Sequence, residues 1–469
     1  MATALLLAAT AFADDLPVPG EPRATQFAQP REHTLANGLR VIVVDRPAQP
    51  LVTAGLVAKS GSEADPAKLA GLAHFTAGLL ARGTNSRPAM QVAQELEELG
   101  AELKSESRWD GTLLVMSTLA PTAGRAFEIF ADVACHPKFA ADEIERLRKE
   151  RIDEVTVDLE QPANFARAAA ARLILGADAY GHPIKGTPAS LSRIKRADVL
   201  AHYHAAFRPE NVVLIIAGDV RAESGFALAE TAFGAWGAEM APAVASAAKA
   251  ARPKPTAVLI DMPDAGQAAV YIGRAASPRA SDDYFTAQIA NAVLGGGYSA
   301  RLNREVRIKR GLSYGCGSRL HAWRAAGIFG AACQTKNESA AEVVRVIHAE
   351  MTRLGAGPIP ADELTARRLV LTGAFTRDLG TNGGYVERIA DFVLHGQPPD
   401  AFAATLDRFN RVTGDEVKSF ASTKLAPDAM SVIVVGRAKD CEKPLRAIFP
   451  DLRVLPQAKV DLDSATLMR

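Results

Sequence analysis

The chain has 469 residues, 48% hydrophobic and 23% charged, a soluble globular mixture too long for one ordinary core. Its 54 Lys and Arg offset 53 Asp and Glu to a net charge of +1, which excludes a dedicated nucleic-acid binder and a polybasic membrane binder. Four cysteines exclude a disulfide scaffold, and no apolar run reaches the roughly 18 residues that span a bilayer.

The first 13 residues end in an apolar run, Ala4 to Ala13, with Ala11 and Ala13 just before Asp14-Asp15. That pattern predicts a signal peptide and export to the periplasm; no Lys or Arg precedes the run, so an Ala-rich start is the alternative. Residues 14–30 read as an extended arm. Strands follow over 38–44 and 51–58, helices over 68–80 and 90–99, strands over 101–108 and 111–119, and a long helix over 141–158. The stretch 198–220, DVLAHYHAAFRPENVVLIIAGDV, returns at 415–438 as DEVKSFASTKLAPDAMSVIVVGRA. Pro209 to Gly218 and Pro427 to Gly436 share one internal spacing: a turn opened by Pro, then an apolar strand ending at Gly. An Ala/Pro-rich linker over 238–256 divides a half at 31–237 from a half at 257–469. Strands and helices come in groups, which predicts an α+β fold of two homologous halves, each a mostly antiparallel sheet with helices packed on one face.

In the second half, Leu294, Tyr298, Leu302 and Val306 recur every four residues and predict one helix face ending near Arg310. Gly311 suits a left-handed cap, and residues 312–317 read as a strand. Gly295-Gly296-Gly297 fit helix capping or close approach of a peptide. Cys316 and Cys333 lie symmetrically about a hairpin turn near Arg324-Ala325, either as two small buried side chains or as a cross-strand bridge.

The most telling stretch is Gly71-Leu72-Ala73-His74-Phe75-Thr76-Ala77-Gly78. With YGHPIKGT at 180–187, FRPENVVLIIAGDV, and LGGGYSARLNREVRIKRGLSYG at 294–315, it resembles the pitrilysin/insulinase family of inverted zinc peptidases, whose helix carries H-x-x-E-H. The resemblance runs almost end to end and implies a chain forming half of a clamshell. In such a helix two His four apart bind zinc, and the Glu before the second His activates water. Here the first His is His74, but Ala77 stands at the Glu and Gly78 at the second His. Glu154 matches the third ligand. A catalytic zinc needs three protein ligands, so the resemblance implies no metal bound by this chain. No two His lie three or four apart; Asp198 with His202, and Asp391 with His395, have ligand spacing but no third partner.

Arg307 and Tyr314 match, at the family's seven-residue spacing, the Arg that holds substrate backbone and the Tyr that faces the oxyanion. The family's substrate-pairing edge strand corresponds to residues 104–108, with Lys104 at its Asn position. The resemblance therefore implies a zinc-less subunit, inactive alone, lending Arg307 and Tyr314 to a homologous zinc-bearing partner with intact H-x-x-E-H, the pair acting on peptides. The alternative is a non-catalytic scaffold or peptide-binding member. A third, a self-sufficient enzyme with unusual ligands, is separated by metal analysis.

Overall fold

A computed structural model describes residues 26–237 and 251–468; the segment 1–13, most of the arm and residues 238–250 of the linker lie outside the described residues. The first half runs β1 (Arg31–Thr34), β2 (Arg40–Asp45), β3 (Leu51–Ala58), α1 (Leu72–Leu79), α2 (Ala89–Glu98), β4 (Glu102–Ser107), β5 (Thr112–Leu119), α3 (Ala123–Cys135), α4 (Ala141–Leu159), α5 (Pro162–Leu175), α6 (Pro188–Arg193), α7 (Arg196–Ala206), β6 (Val212–Gly218) and α8 (Ala222–Phe233). The second half runs β7 (Ala257–Asp261), β8 (Ala268–Ala276), α9 (Tyr284–Leu294), α10 (Arg301–Asn303), β9 (Cys316–Ala322), β10 (Gly327–Thr335), α11 (Ala340–Ala356), α12 (Ala361–Asp378), α13 (Asn382–Leu394), α14 (Phe402–Arg411), α15 (Gly414–Lys424), β11 (Ser431–Gly436), α16 (Ala438–Arg446) and β12 (Arg453–Pro456).

Each half makes one six-stranded sheet, ordered β1-β2-β6-β3-β5-β4 and β12-β7-β11-β8-β10-β9. Five strands correspond one to one. In both, the strand closing the half (β6, β11) lies parallel to the first (β2, β7) and antiparallel to the second (β3, β8). The outermost strand differs: β1 is antiparallel to β2, whereas β12 is parallel to β7. The repeated sequence segments are β6 and β11, each buried along its whole length.

Uninterrupted burial requires cover on both sheet faces. One face of each sheet carries its own half's helices, in cores centred on Phe75, Phe127 and Phe130, and on Ile289, Val344 and Ile347. The other face is covered by a helix from the other half. Phe165, Ala169 and Leu173 of α5 pack on Val258, Ile260 and Val435, while Val386, Ile389 and Phe392 of α13 pack on Ile42, Val57 and Ile215. The approach is close: a Cβ at Gly55 of β3 would lie 2.3 Å from Val386 Cγ1. The end of the arm joins this contact, with Phe27 against Phe402 at 5.5 Å and Ala28 N donating to Tyr385 OH at 3.0 Å.

A buried polar lock reinforces the exchange. Asp110, at the β4–β5 turn, accepts from Tyr180 OH at 2.5 Å and from Arg324 N at 2.8 Å. His395 Nε2 stands 3.4 Å from Asp110, and its Nδ1 is 2.7 Å from Asp391 O. Asp391 and His395 thus tie the halves together. The other spaced pair is structural too: Asp198 accepts from Lys195 N at the start of α7, and His202 is buried.

Three element boundaries differ from the sequence expectation. The helix expected over 68–80 starts at Leu72, because the Asp65 carboxylate accepts from Gly71 N and Ala73 N, both at 2.8 Å. The helix face expected through Tyr298 does not form: α9 stops at Leu294 and helix resumes at Arg301. Gly295 caps α9 through Asn291 O, and a Cβ there would lie 2.3 Å from Ser318 N, so the backbone leaves the helix to lie against β9. Leu294, Leu302 and Val306 are buried, but Tyr298 is 65% exposed. Residues 312–315 form a loop, and the strand begins at Cys316.

Candidate functional site

In the first half, α1 and α4 cross beneath the edge strand β4, whose Ser105 hydroxyl donates to Ala77 O at 2.6 Å. His74 is on α1 and Glu154 on α4. Two cations that the sequence reading did not assign hold the Glu154 carboxylate: Lys185 Nζ at 2.7 Å and Arg151 Nη1 at 2.5 Å. Lys185 also reaches Asp158 at 3.1 Å. Burial opposes the charge on Glu154, but the hydrogen bonds from Lys185 and Arg151 outweigh it and hold the carboxyl below its ordinary range. Burial opposes the charge on Lys185 too, but the hydrogen bonds to Glu154 and Asp158 outweigh it and hold the ammonium above its ordinary range.

His74 is pushed down to about 4 by burial, then by the Arg151 and Lys185 charges, and its Nε2 is buried without a hydrogen-bond partner. It is a neutral, packed imidazole. Gly78 marks where a second ligand would stand, and a Cβ there would lie 3.2 Å from Leu147 Cδ2 and 3.4 Å from Arg151 Nη2. Arg151 and Leu147 fill that space. Two carboxylates, Glu154 and Asp158, are thus matched by two protein cations. A divalent ion would meet Arg151 and Lys185 first, so these residues do not fit a catalytic zinc. Among the described residues no group of three His, Cys, Asp or Glu side chains could hold a metal ion.

Lys185 was legible as part of YGHPIKGT, but its role follows only from α4 bringing Glu154 and Asp158 beside it. On β4 itself, Lys104 pairs with Glu102 at 2.6 Å and lies largely exposed.

The second half presents an open constellation. After α10 the chain makes one π-helical turn, Arg304–Lys309, then Gly311 takes φ +63° and the loop leads to β9. Glu305, buried on that turn, is bound by Lys309 Nζ at 2.6 Å and Arg310 Nη1 at 2.7 Å, whose hydrogen bonds hold it at about 2. The loop is tied at both ends: Thr335 Oγ1 donates to Leu312 O at 2.6 Å, and Cys316 N donates to Asn303 Oδ1 at 3.3 Å. Between those ties Tyr314 projects outward, 88% exposed.

Arg307 is half-buried, its guanidinium 5.0 Å from the Tyr298 ring centroid. A cation over an aromatic face is held in place while its N–H edges stay free to donate. Tyr298, expected on one helix face with Leu294 and Leu302, is instead exposed between helices and supports Arg307. Arg307 and Tyr314 both lie on the segment between α10 and β9, with no hydrogen bond or ring contact between them among the described residues. Cys316 and Cys333, opposite each other in the β9–β10 register, are both free thiols facing the core.

Comparisons with known proteins bear on the family and the fold. Residues 40–180 match the insulinase family, peptidase family M16, and residues 193–371 match the peptidase M16 inactive domain. An uncharacterized zinc protease of Mycobacterium leprae is 26% identical over 86% of this chain and 90% of its own length. One from Bacillus subtilis is 22% identical over 76% and 86%. Among solved structures, a peptidase M16 inactive domain from Pseudomonas fluorescens superposes with a TM-score of 0.80 at 25% identity, covering 87% of this chain and 98% of that one. A Helicobacter pylori protease reaches 0.82 at 17% identity over 88% and 100%, a likeness of fold. This chain belongs to the M16, insulinase-type, peptidase family.

Proposed function

We propose that this chain is the zinc-less subunit of a two-chain M16 peptidase, contributing Arg307 and Tyr314 to a hydrolytic site whose metal is carried by a homologous partner. One contrast carries the reading: the corner that would hold the metal is filled by Arg151 and Lys185, while Tyr314 stands out in solvent on a loop tied at both ends. A tyrosine that rigidly displayed has a use if a second surface closes over it. Its hydroxyl can donate to the oxyanion of a tetrahedral intermediate, and the Arg307 fork can bind peptide carbonyls. Both act as preorganised donors.

The test mixes the purified chain with a zinc-bearing homologue and follows cleavage of an unstructured fluorogenic peptide. Activity arises only in the mixture. Tyr314→Phe lowers kcat by about 10²–10³-fold, the range for removing one oxyanion donor, and Arg307→Ala raises KM as well. A mixture whose activity survives both changes sinks the lent-site reading and leaves a scaffold or peptide-binding role.

A further inference from the structure

A cleft of about 420 Å³ opens between the π-helical turn, the C-terminal end of α11 and the first turn of α12. Four guanidiniums line it, those of Arg301, Arg304, Arg353 and Arg367, against two carboxylates, Asp362 and Glu363. The lining therefore carries two more positive charges than negative.

The four arginines are not equally engaged. Arg301 is buried and forks onto Glu363, with Nε and Nη2 at 3.0 and 2.6 Å from its two oxygens. Arg353 leans on Glu350 at 3.1 Å and more distantly on Glu305 at 4.0 Å. Arg367 is 94% buried by the fold (relative exposure 6%), yet among the described residues it makes one hydrogen bond, Nη2 to Ser299 Oγ at 3.2 Å, and its Nε has no partner. Arg304 is exposed and makes no ion pair among the described residues. Burial, and then the Arg304 and Arg301 charges, press against the charge on Arg367 despite Glu363 nearby. An arginine stays protonated in protein, so that field is relieved by an anion rather than by losing a proton. The first turn of the 18-residue helix α12 lines the same wall, and the positive end of its dipole adds to the potential there.

We infer that this cleft is a carboxylate-binding subsite, which receives the C-terminal carboxylate or an acidic side chain of a peptide. Asp362 and Glu363 on the wall limit the charge it tolerates and favour a single carboxylate over a polyphosphate. The volume suits one or two residues of a peptide rather than a folded partner. Ser299, which meets Arg367, follows directly on Tyr298, which supports Arg307, so the cleft adjoins the surface proposed to hold peptide backbone. That adjacency rests on the function proposed above; the affinity for a carboxylate does not.

The test uses the chain alone, without partner or hydrolysis. Fluorescence anisotropy follows an octapeptide that carries an uncharged BODIPY label and is otherwise uncharged, as its free acid, as its C-terminal amide, and as the amide with one internal Glu. The free acid or the Glu-containing amide binds about tenfold or more tightly than the neutral amide, the worth of one charge-assisted contact. Which of the two binds tells whether the chain terminus or a side chain is recognised; either supports the subsite. Arg304→Glu abolishes the preference, whereas Arg345→Glu, exposed on α11 outside the cleft, leaves it. Arg367→Gln abolishes it too, in protein whose circular dichroism and Tm show that it has folded. Equal binding of all three peptides, or equal effects of Arg304→Glu and Arg345→Glu, overturns the inference. A chain that prefers carboxylates yet activates no zinc-bearing homologue keeps the subsite and loses the two-chain reading, and the converse result does the reverse.

Discussion

Two charged corners, one in each half, carry opposite electrostatic outcomes. Where α1 meets α4, the acidic pair Glu154 and Asp158 is matched by Arg151 and Lys185, and the imidazole between them is neutral. Where the π-helical turn meets α12, Glu363 satisfies Arg301, but among the described residues Arg304 makes no ion pair and Arg367 Nε has no hydrogen-bond partner. One corner has closed on itself and the other has unspent donors. A shared backbone therefore says little about chemistry; the balance of charges within each corner decides whether a ligand can enter.

The largest expected effect tests whether cations close the first corner. Ala77→Glu with Gly78→His restores the H-x-x-E-H pattern, yet the purified double variant holds no stoichiometric zinc by atomic-emission analysis, because Arg151 and Lys185 still occupy Glu154. Adding Arg151→Ala and Lys185→Ala frees the carboxylate, and zinc then rises toward one per chain. Full zinc in the double variant would break the comparison.

Backbone tolerance sharpens it next. Gly218 and Gly436 end the two repeated strands, but Gly218 holds φ +142° with Leu51 O 2.1 Å from a Cβ, whereas the first obstacle at Gly436 is the Asn337 side-chain oxygen at 2.6 Å. Gly218→Ala costs about 3–5 kcal/mol in urea unfolding and Gly436→Ala about 1–3 kcal/mol.

A smaller effect belongs to the lock between the halves. Burial would lower His395, but hydrogen bonds to Asp110 and Asp391 and the Asp391 charge outweigh it and raise it from 6.5 to about 9. That stabilisation is complete below about pH 6.5 and is lost as pH rises through 9. Burial lifts Glu63 from 4.5 to about 8, so its neutral form favours the fold and its ionisation opposes it with the same sign. Tm therefore falls between pH 6.5 and 9, and His395→Gln flattens the slope by removing about 2 kcal/mol of the pH-dependent stability. An unchanged slope would show that His395 does not titrate with the lock. The smallest effect is at Cys316 and Cys333: mild oxidation joins them, read by peptide mapping, and shifts Tm by a few degrees, because a bridge across paired strands closes only a short loop.

Much of this was readable beforehand where a residue's chemistry is local. The Pro209–Gly218 and Pro427–Gly436 repeat became β6 and β11. Relations across long separations were not readable. Lys185 reaches Glu154 across 31 residues and Arg324 reaches Asp110 across 214. Four-residue spacing also misled at Tyr298, since Leu294 and Leu302 belong to different helices and the glycines between them break the register. Nor did the Ala-rich pattern of α5 reveal that its cover lies on the other half's sheet.

The traded helices bear on how such a chain could be trimmed. A domain that has given up its reaction is ordinarily free to be deleted. Here β8 and β11 keep their outer face dry only because α5 comes from the half without ligands, and β3 and β6 depend likewise on α13. Genetic loss of the silent half would strip the surviving one to a bare sheet. The cation-filled corner is inherited with the open one because neither half can be cut away.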